Sequence, residues 1–373
     1  MEQLNKPYRI IISGGGTGGH IYPAIAVANE VKARNPKNEV LFVGAKGRME
    51  MEKVPKAGYH IIGLWISGLQ RKILSVKNIL FPIKLIFSLI KGKLIITKFR
   101  PDAVAGFGGY ASAPLVKMAR RNKVSIIQEQ NAFAGMTNQW VAGKVDKVCV
   151  AHEKMEDFFP KEKIVITGNP VRTDITNPSK TKEEALAHFG MKSDLPTILV
   201  IGGSLGAKTI NEAVKNHVDT IHQGRIQLIW QTGKTYFKEI EKNVCSRFSD
   251  IYVSEFIYEM DLAYQAADVV ISRAGALSIS ELAVAGKAAV LVPSPNVAED
   301  HQTKNAQALV DIHAALLVKD SMAMERLIPL AMDLVKNEQE KTVLSNNILS
   351  IAKPKAAAEI VDVIEQLIVE KRG

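Results

Sequence analysis

The sequence contains few cysteines, which excludes two kinds of site. Among its 373 residues, only Cys149 and Cys245 are cysteines. Two cysteines cannot build a disulfide framework, and their spacing matches no zinc motif. A reducing compartment such as the cytosol is therefore the simplest expectation.

Long hydrophobic runs are also missing. No stretch of about 18 uncharged apolar residues occurs, which is the length that a membrane-spanning helix needs. Residues 1–9 lack the apolar segment of a secretion signal. We therefore expect neither a transmembrane helix nor a signal peptide.

Acidic residues are absent between Glu52 and Asp102, and this stretch carries ten lysines and arginines, as many as the formal net charge of +10. The stretch is also strongly apolar. Basic and apolar residues together suit an anionic membrane surface better than nucleic acid, which favours exposed aromatic residues or a reading helix. The pattern is equally compatible with a core helix whose lysine stems cover apolar surface. The candidate membrane-docking residues are Lys72, Lys77, Ile79, Leu80, Phe81 and Lys84.

Predicted strands and helices alternate along almost the whole chain. Most strands are continuous apolar runs, which is typical of parallel strands covered on both faces. The alternation occurs twice, and the length suits two domains. The sequence therefore predicts an α/β fold of two Rossmann-like, doubly wound parallel-sheet domains. We place the first domain at 1–176, a polar linker at 177–196, the second domain at 197–354 and a last helix at 355–373.

Each half opens with a strand, a glycine-rich loop and a helix, at residues 14–20 and 202–207. Such loops let backbone N–H groups approach an anion, and the helix that follows adds partial positive charge. The first loop matches a dinucleotide fingerprint, but Gly44, Ala45 and Lys46 stand where an acidic residue should hold the ribose of NAD. The second loop resembles a P-loop, but Ala207 replaces a required glycine. We therefore expect neither NAD binding nor ATP hydrolysis.

Two side chains near these loops could carry chemistry. His20 follows the first glycines at a predicted helix start, where a neutral imidazole could act as a general base. It could equally bind a phosphate or cap the helix. Glu281 follows a predicted strand, and its carboxylate could accept the two hydroxyls of a ribose. Arg273 could pair with Glu281 or with a phosphate, and solvation of a helix face would also explain both residues.

Taken together, the motifs resemble the bacterial peptidoglycan N-acetylglucosaminyltransferases, which convert lipid I to lipid II. The resemblance covers almost the whole chain. In the first half it rests on Gly-Gly-Thr-Gly-Gly-His at 15–20, Gly-Phe-Gly-Gly-Tyr at 106–110, Gln-Glu-Gln-Asn at 128–131 and Gly-Asn-Pro-Val-Arg at 168–172. In the second half it rests on Gly-Gly-Ser-Leu-Gly-Ala at 202–207, Glu-Phe-Ile at 255–257, Arg-Ala-Gly-Ala at 273–276, Glu281 and His-Gln-Thr-Lys-Asn-Ala at 301–306.

The resemblance implies a GT-B fold with a cleft between its domains, in which the last helix returns to the first domain. It implies inverting transfer of GlcNAc from UDP-GlcNAc to the C4 hydroxyl of the MurNAc of lipid I. His20 would be the base or a residue that positions the acceptor. The implied UDP-GlcNAc contacts are Thr17, Gly18, Gly19, Asn131, Arg172, Ser204, Ile257, Ala276, Leu277, Glu281 and Gln302.

On the acceptor side, we expect the diphosphate of lipid I to bind the glycine loops of the first domain. The residues concerned are Gly14, Gly15, Gly108, Gly109 and Tyr110. No Asp-x-Asp arrangement is placed to hold Mg²⁺, so we expect no metal or other cofactor. The implied location is peripheral, on the cytoplasmic face of the bacterial cell membrane. The expected partners are UDP-GlcNAc, undecaprenyl-linked lipid I, the anionic membrane surface and cell-wall or division proteins, but no nucleic acid.

Two other functions fit the glycine loops. One is a related UDP-sugar enzyme that needs no lipid, such as a UDP-GlcNAc epimerase or a hydrolase. The other is a nucleotide-sugar sensor without catalytic activity. The basic apolar stretch favours the transferase over the lipid-independent enzyme, which needs no membrane-facing surface. A sensor would instead bind UDP-GlcNAc without turnover.

Overall fold

The computed structural model describes residues 6–68, 80–119, 123–203, 205–245, 247–297 and 300–372. The chain divides into two compact units. The first contains Met1–Arg172 and Lys353–Gly373, and the second contains Thr173–Ala352.

The first unit is built on a seven-stranded parallel sheet, in which the strands follow the order β3-β2-β1-β4-β5-β6-β7. The central strand β1 is a run of isoleucines between helical layers, which explains why it is buried along almost its whole length. The strands are β1 (Arg9–Ser13), β2 (Glu39–Ala45), β3 (Ile61–Leu64), β4 (Ala103–Gly106), β5 (Val124–Glu129), β6 (Lys147–Val150) and β7 (Ile164–Ile166).

In the part of this unit that the structure describes, five helices connect the strands, and a sixth returns from the end of the chain. They are α1 (Gly18–Arg34), α2 (Glu50–Lys56), α3 (Phe81–Phe99), α4 (Ser112–Met118), α5 (Met136–Ala142) and α15 (Ala356–Arg372). Buried apolar residues of α15 join the core that covers one face of the sheet. Tyr8 Oη donates to Glu365 Oε1 at 3.0 Å, and Lys371 pairs with Asp146 at 2.8 Å. These contacts fix the last helix to the first unit.

The second unit has a six-stranded parallel sheet in the order β10-β9-β8-β11-β12-β13. Its core includes the fully buried Trp230, whose Nε1 donates to Asn211 Oδ1 at 3.0 Å. The strands are β8 (Thr197–Ile201), β9 (Gln227–Gln231), β10 (Ile251–Ser254), β11 (Val269–Ser272), β12 (Ala289–Leu291) and β13 (Leu316–Leu317).

Helices cover both faces of this sheet. They are α6 (Thr173–Thr176), α7 (Lys182–His188), α8 (Lys208–Gln223), α9 (Phe237–Val244), α10 (Met260–Ala266), α11 (Ala276–Ala285), α12 (His301–Asp311), α13 (Ala323–Lys336) and α14 (Glu338–Ser350). Helix α7 lies inside the segment 177–196 that we expected to be a linker, and it begins with a capping box between Thr181 and Glu184.

The predicted fold class is confirmed, since both sheets are parallel and each is doubly wound. The predicted strands match closely: the sequence predicts strands at 39–43 and 197–201, and the structure has β2 at Glu39–Ala45 and β8 at Thr197–Ile201. Strand β3 and several short helices were not predicted. None of the described helices combines the length and the apolar character needed to cross a membrane.

Candidate functional site

In the first unit, the candidate residues lie where strands end at the carboxyl edge of the sheet. Residues 14–17 connect β1 to α1, and residues 107–111 connect β4 to α4. Phe107 donates its backbone N–H to Ser13 O at 2.7 Å, which holds the two loops together. The structure therefore brings the predicted residues Gly14, Gly15 and Gly108 into one neighbourhood.

His20 is held in this neighbourhood by the backbone. Its Nδ1 lies 2.8 Å from Gly15 O, and a carbonyl oxygen can only accept, so Nδ1 carries the proton. Thr17 Oγ1 lies 3.3 Å from the same nitrogen, but a hydroxyl can donate or accept and does not select a tautomer. The neutral ring therefore keeps an unprotonated Nε2. This is the form that a general base needs.

The two glycine loops pack too closely for side chains. At Gly108, where φ is +87°, a Cβ would lie 2.9 Å from His20 Nε2. At Gly109, where φ is +77°, a Cβ would lie 2.3 Å from Gly15 O. These glycines are required by loop packing as well as by backbone conformation. Tyr110 is 44% exposed and packs over Gly68, where a Cβ would lie 1.9 Å from its Cζ.

Glu50, which sequence analysis missed, contacts the same loop. Its side chain is completely buried. Oε2 accepts from Gly16 N at 3.0 Å, and Oε1 accepts from Ala45 N at 2.9 Å. A Cβ at Gly15 would lie 2.2 Å from Oε1, and one at Gly44 would lie 2.5 Å from Glu50 Cγ. The glycines at 15 and 44 thus make room for a buried carboxylate.

A second buried carboxylate organises the loop that contains Asn131. Glu129 Oε1 accepts from Asn131 N at 3.1 Å, and its Oε2 accepts from Gly135 N at 3.0 Å and from Asn138 Nδ2 at 2.9 Å. Gln130 Nε2 donates to Phe107 O at 3.0 Å. These bonds connect the Gln-Glu-Gln-Asn motif to the loop after β4, which also carries Gly108 and Gly109.

Two further side chains lie at the same edge of this unit. Burial lowers the pKa of His152, whose Nε2 is buried and has no hydrogen-bond partner among the described residues. The guanidinium of Arg172 lies 5.8 Å from the centre of the Tyr22 ring. Tyr22 belongs to α1, so the structure places Arg172 beside the helix that carries His20.

In the second unit, the glycine loop at 202–207 lies between β8 and α8. Its Gly206 has φ of +86° and packs against the loop after β9, since a Cβ there would lie 2.3 Å from Thr232 O. Helix α8 has Ala207 as its N-cap, which supplies no side-chain hydrogen bond to the helix. Its first backbone N–H groups can therefore serve a bound anion. Ser204 lies outside the described residues.

Glu281 projects from α11, and the hydroxyl of Tyr264 holds its carboxylate. Tyr264 is 2% exposed and donates to Glu281 Oε2 at 3.1 Å. Ala276 and Leu277 form the first turn of the same helix and are partly exposed. The predicted ribose residue and its predicted neighbours therefore lie on one helix. Sequence reasoning missed Tyr264, which lies 17 residues from Glu281 on another helix.

Arg273 directly follows β11 and contacts Asp320 and the backbone after β12. Its Nη1 forms an ion pair with Asp320 and donates to Val292 O at 3.0 Å and to Pro293 O at 3.2 Å. Gln302 Oε1 accepts from Ser294 N at 2.9 Å, which places Gln302 beside the loop after β12. Ile257 is buried, and its N–H donates to Gln231 Oε1 at 2.9 Å.

Helix α3 presents an apolar surface, which we call the α3 face. Its members follow helical spacing on one side and are 46 to 64% exposed. They are Ile83, Ile86, Phe87, Ile90 and Leu94. The exposed Lys93 and Lys98 lie on the same helix. Exposed apolar residues in a continuous patch indicate an interaction surface.

Three of the predicted docking residues, Leu80, Phe81 and Lys84, lie at the start of helix α3. Leu80 is 39% exposed, whereas Phe81 is half-buried. Lys84 Nζ donates to Ser67 Oγ at 3.1 Å and lies 5.6 Å from the Trp65 ring centre. Lys72, Lys77 and Ile79 lie outside the described residues. The apolar face continues one to three turns beyond the residues that sequence analysis selected.

No group of three or more histidine, cysteine, aspartate or glutamate side chains among the described residues could hold a metal ion. The titratable groups that lie nearest the glycine loops instead have backbone partners, as His20 and Glu50 do.

Comparison with known proteins identifies the family. The N-terminal domain model of glycosyltransferase family 28 matches residues 10–150, and the C-terminal domain model matches residues 197–364. A UDP-N-acetylglucosamine–N-acetylmuramyl-(pentapeptide) pyrophosphoryl-undecaprenol N-acetylglucosamine transferase of Cytophaga hutchinsonii is 54% identical over 364 residues, covering 97% of this chain and 98% of that protein. The protein of the same name from Parabacteroides distasonis is 52% identical, with 98% and 100% covered.

A solved structure agrees with the sequence relatives. The crystal structure of Acinetobacter baumannii MurG is 30% identical, with a TM-score of 0.72, and 96% of this chain and 100% of that chain are covered. The resemblance drawn from the motifs is thus confirmed. The chain belongs to glycosyltransferase family 28 and, within it, to the UDP-N-acetylglucosamine–N-acetylmuramyl-(pentapeptide) pyrophosphoryl-undecaprenol N-acetylglucosamine transferases.

Proposed function

We infer that this protein transfers GlcNAc from UDP-GlcNAc to lipid I, giving lipid II and UDP, in peptidoglycan synthesis. The observation that carries this conclusion is identity above 50% over nearly the full length of transferases with that name. The acceptor atom is the C4 hydroxyl of MurNAc, and the transfer inverts the anomeric centre.

His20 is the general base in this proposal. Its Nε2 takes the proton from the acceptor hydroxyl while the oxygen attacks C1 of GlcNAc. The C1–O bond to the diphosphate breaks, and its electron pair leaves with UDP. The hydrogen bond from Nδ1 to Gly15 O supports this role, because it leaves Nε2 available as a proton acceptor.

The donor contacts in this proposal are those that the family resemblance implies. They are Thr17, Gly18, Gly19, Asn131, Arg172, Ser204, Ile257, Ala276, Leu277, Glu281 and Gln302. The loop at 202–207 and the N-terminus of α8 stabilise the charge that develops on the departing diphosphate. The N-cap residue Ala207, which offers no competing side-chain acceptor, supports this assignment.

Glu281 accepts the ribose hydroxyls of the donor. The Tyr264 hydroxyl occupies part of the lone-pair capacity of Oε2 and orients the carboxylate. A carboxylate has about four acceptor sites, so it can serve Tyr264 and two ribose hydroxyls together.

The acceptor diphosphate binds the loops that contain Gly14, Gly15, Gly108, Gly109 and Tyr110. Gly16 N–H is already bonded to Glu50, so the diphosphate uses other donors of these loops. The reaction needs no metal ion, because backbone N–H groups and a helix N-terminus supply the electrostatic stabilisation at the leaving group.

The protein docks on the cytoplasmic face of the cell membrane through the α3 face. Two observations support this. The face is apolar and exposed, and the surrounding sequence from 53 to 101 has no acidic residue. Basic residues near an apolar face favour anionic lipid. Cell-wall and division proteins are further candidate partners at this membrane.

The direct test is UDP release by the purified chain from UDP-GlcNAc, with and without a short-chain lipid I analogue. We expect UDP only when the acceptor is present, with an equal amount of disaccharide product. Equal release without acceptor would indicate a hydrolase or epimerase, and donor binding without turnover would indicate a sensor. Either result would refute the proposed function.

A further inference from the structure

The Gly15–Gly16 peptide contacts a side chain at each of its two polar groups. Its carbonyl oxygen, Gly15 O, accepts from His20 Nδ1 at 2.8 Å. Its N–H, which belongs to Gly16, donates to Glu50 Oε2 at 3.0 Å. A trans peptide directs its N–H and its C=O to opposite sides. One peptide plane therefore lies between a buried carboxylate and the imidazole.

We propose that Glu50 is a positioning residue, which fixes the Gly15–Gly16 peptide so that His20 keeps its proton on Nδ1 and an unprotonated Nε2. The inference rests on the proposed role of His20 as the base. Glu50 touches neither substrate, and it acts through the peptide.

The position of Glu50 makes it a rigid support. The side chain is fully buried, and its other oxygen accepts from Ala45 N at 2.9 Å. The carboxylate thus joins the end of β2 to the loop after β1. Hydrogen bonds from N–H groups to a buried carboxylate are stronger than bonds between neutral groups. In the described part of the chain, no lysine or arginine forms an ion pair with Glu50, so these N–H groups are its stabilising partners.

The peptide that Glu50 holds would otherwise be free to turn. Both of its residues are glycine, and Gly16 has φ of +88° with no atom within 4 Å of its Cβ position. A peptide between two glycines can rotate with little steric cost. After rotation, the N–H would face His20 Nδ1, and that nitrogen would have to accept. The proton would then move to Nε2, and the ring could no longer remove a proton from the acceptor.

The same arrangement requires glycine at position 15 and at position 44. The carboxylate leaves no room for a Cβ at Gly15 or at Gly44, where the separations would be 2.2 and 2.5 Å. Gly109 fits against the other side of the same peptide, since a Cβ there would lie 2.3 Å from Gly15 O. Glu50 and Gly109 therefore enclose the peptide from two directions, in the orientation that serves His20.

The test compares Glu50→Gln with Glu52→Gln. A carboxamide has one oxygen, so either Gly16 N–H or Ala45 N–H would face its NH₂ group and would lose its hydrogen-bond acceptor. Glu52 lies on the same helix, is exposed and pairs with Lys56 at 3.0 Å. Glu52→Gln thus removes the same charge without touching the loop. The ring tautomer of His20 is read from ¹⁵N NMR of the protein without substrate, with its signals assigned by their loss in His20→Ala.

We expect the wild type and Glu52→Gln to show one His20 tautomer, with the proton on Nδ1. Glu50→Gln should populate the tautomer with the proton on Nε2. Its kcat should fall by about tenfold or more, towards the loss of about 10²-fold or more that removal of a general base causes. Its KM for UDP-GlcNAc should stay within about threefold, because the carboxylate does not contact the donor.

An unchanged tautomer in Glu50→Gln, with kcat equal to that of Glu52→Gln, would overturn the proposal. If Glu50→Gln does not fold, Glu50→Asp is measured instead. Its side chain keeps the charge but is one methylene shorter, so its effect should be intermediate. A wild-type spectrum with the proton on Nε2 would overturn the proposal without any variant. Full turnover by His20→Ala would instead show that His20 is not the general base of the proposed function. The tautomer measurement would still decide whether Glu50 positions the ring.

Discussion

Membrane docking through the α3 face can be tested by making that face polar. We choose Ile86→Ser and Ile90→Ser together. The two residues are 57% and 54% exposed and lie one turn apart. Both side chains are exposed and aliphatic, and exposed substitutions of this kind change stability by about 0.5 kcal/mol or less. The double variant should therefore fold normally.

The expected size of the effect follows from the exposed area. Complete burial of an isoleucine side chain contributes about 1.5–3 kcal/mol. Somewhat more than half of each side chain remains to be buried, so each contributes about 1 kcal/mol on entering the lipid interface. The pair then contributes about 2 kcal/mol. Since 1.4 kcal/mol corresponds to a factor of ten, the partition coefficient should fall by about 30-fold.

The assay is co-sedimentation with vesicles that contain anionic lipid, read as a partition coefficient at fixed ionic strength. The matched control is Ile312→Ser with Leu349→Ser, which changes two apolar residues of the second unit that are 46% and 47% exposed. The control should bind vesicles like the wild type. Both variants should retain wild-type turnover with a water-soluble acceptor analogue. Equal vesicle binding by the α3 variant and the control would refute the docking surface.

Three other predictions concern the donor site, the metal requirement and the pH dependence of stability. Glu281→Ala should weaken UDP-GlcNAc binding by about 10- to 100-fold, because it removes the hydrogen bonds to the ribose. Tyr264→Phe should weaken binding by about 3- to 10-fold, because it removes only the bond that orients the carboxylate. Isothermal titration that shows unchanged affinities would contradict the ribose assignment. EDTA should leave the rate of UDP release unchanged, and an absolute requirement for Mg²⁺ would contradict stabilisation by helix and backbone groups. Burial lowers the pKa of Lys287 to about 8, while its Nζ donates to Ala267 O at 2.9 Å. Between that pKa and the ordinary lysine pKa, the unfolded chain binds more protons than the folded chain, so the free energy of unfolding should rise with pH. Lys287→Met should remove this rise when the free energy is measured by chemical denaturation. An identical pH slope in the variant would contradict the burial of the ammonium.

The fold could be predicted from the sequence because parallel strands are continuous apolar runs. Ile10, Ile11 and Ile12 are fully buried, as such a run requires. Strand β3 was missed because Gly63 interrupts its short sequence. Helix α7 was missed because polar composition suggested a linker, although the capping box of Thr181 and Glu184 is readable in the sequence.

The site could be predicted only in part, for a physical reason. The motifs begin where strands end, so the sequence places His20 and Glu281 on the helices that follow. Their supporting residues come from other elements, 30 residues away for Glu50 and 17 for Tyr264. The glycines at 15 and 44 are a sequence signal for Glu50, since neither is needed for a turn and both leave room for its side chain. The sequence does not separate the exposed members of the α3 face from the buried ones, because helix α3 has apolar residues on both its core side and its exposed side.

The central claim is that His20 removes the acceptor proton, and one comparison tests it most directly. Turnover by His20→Ala on UDP-GlcNAc and a lipid I analogue is measured beside the dissociation constant of UDP-GlcNAc for the same variant. We predict that turnover falls by about 10²-fold or more while the dissociation constant stays within a few-fold of wild type. Turnover close to that of the wild type would contradict the account.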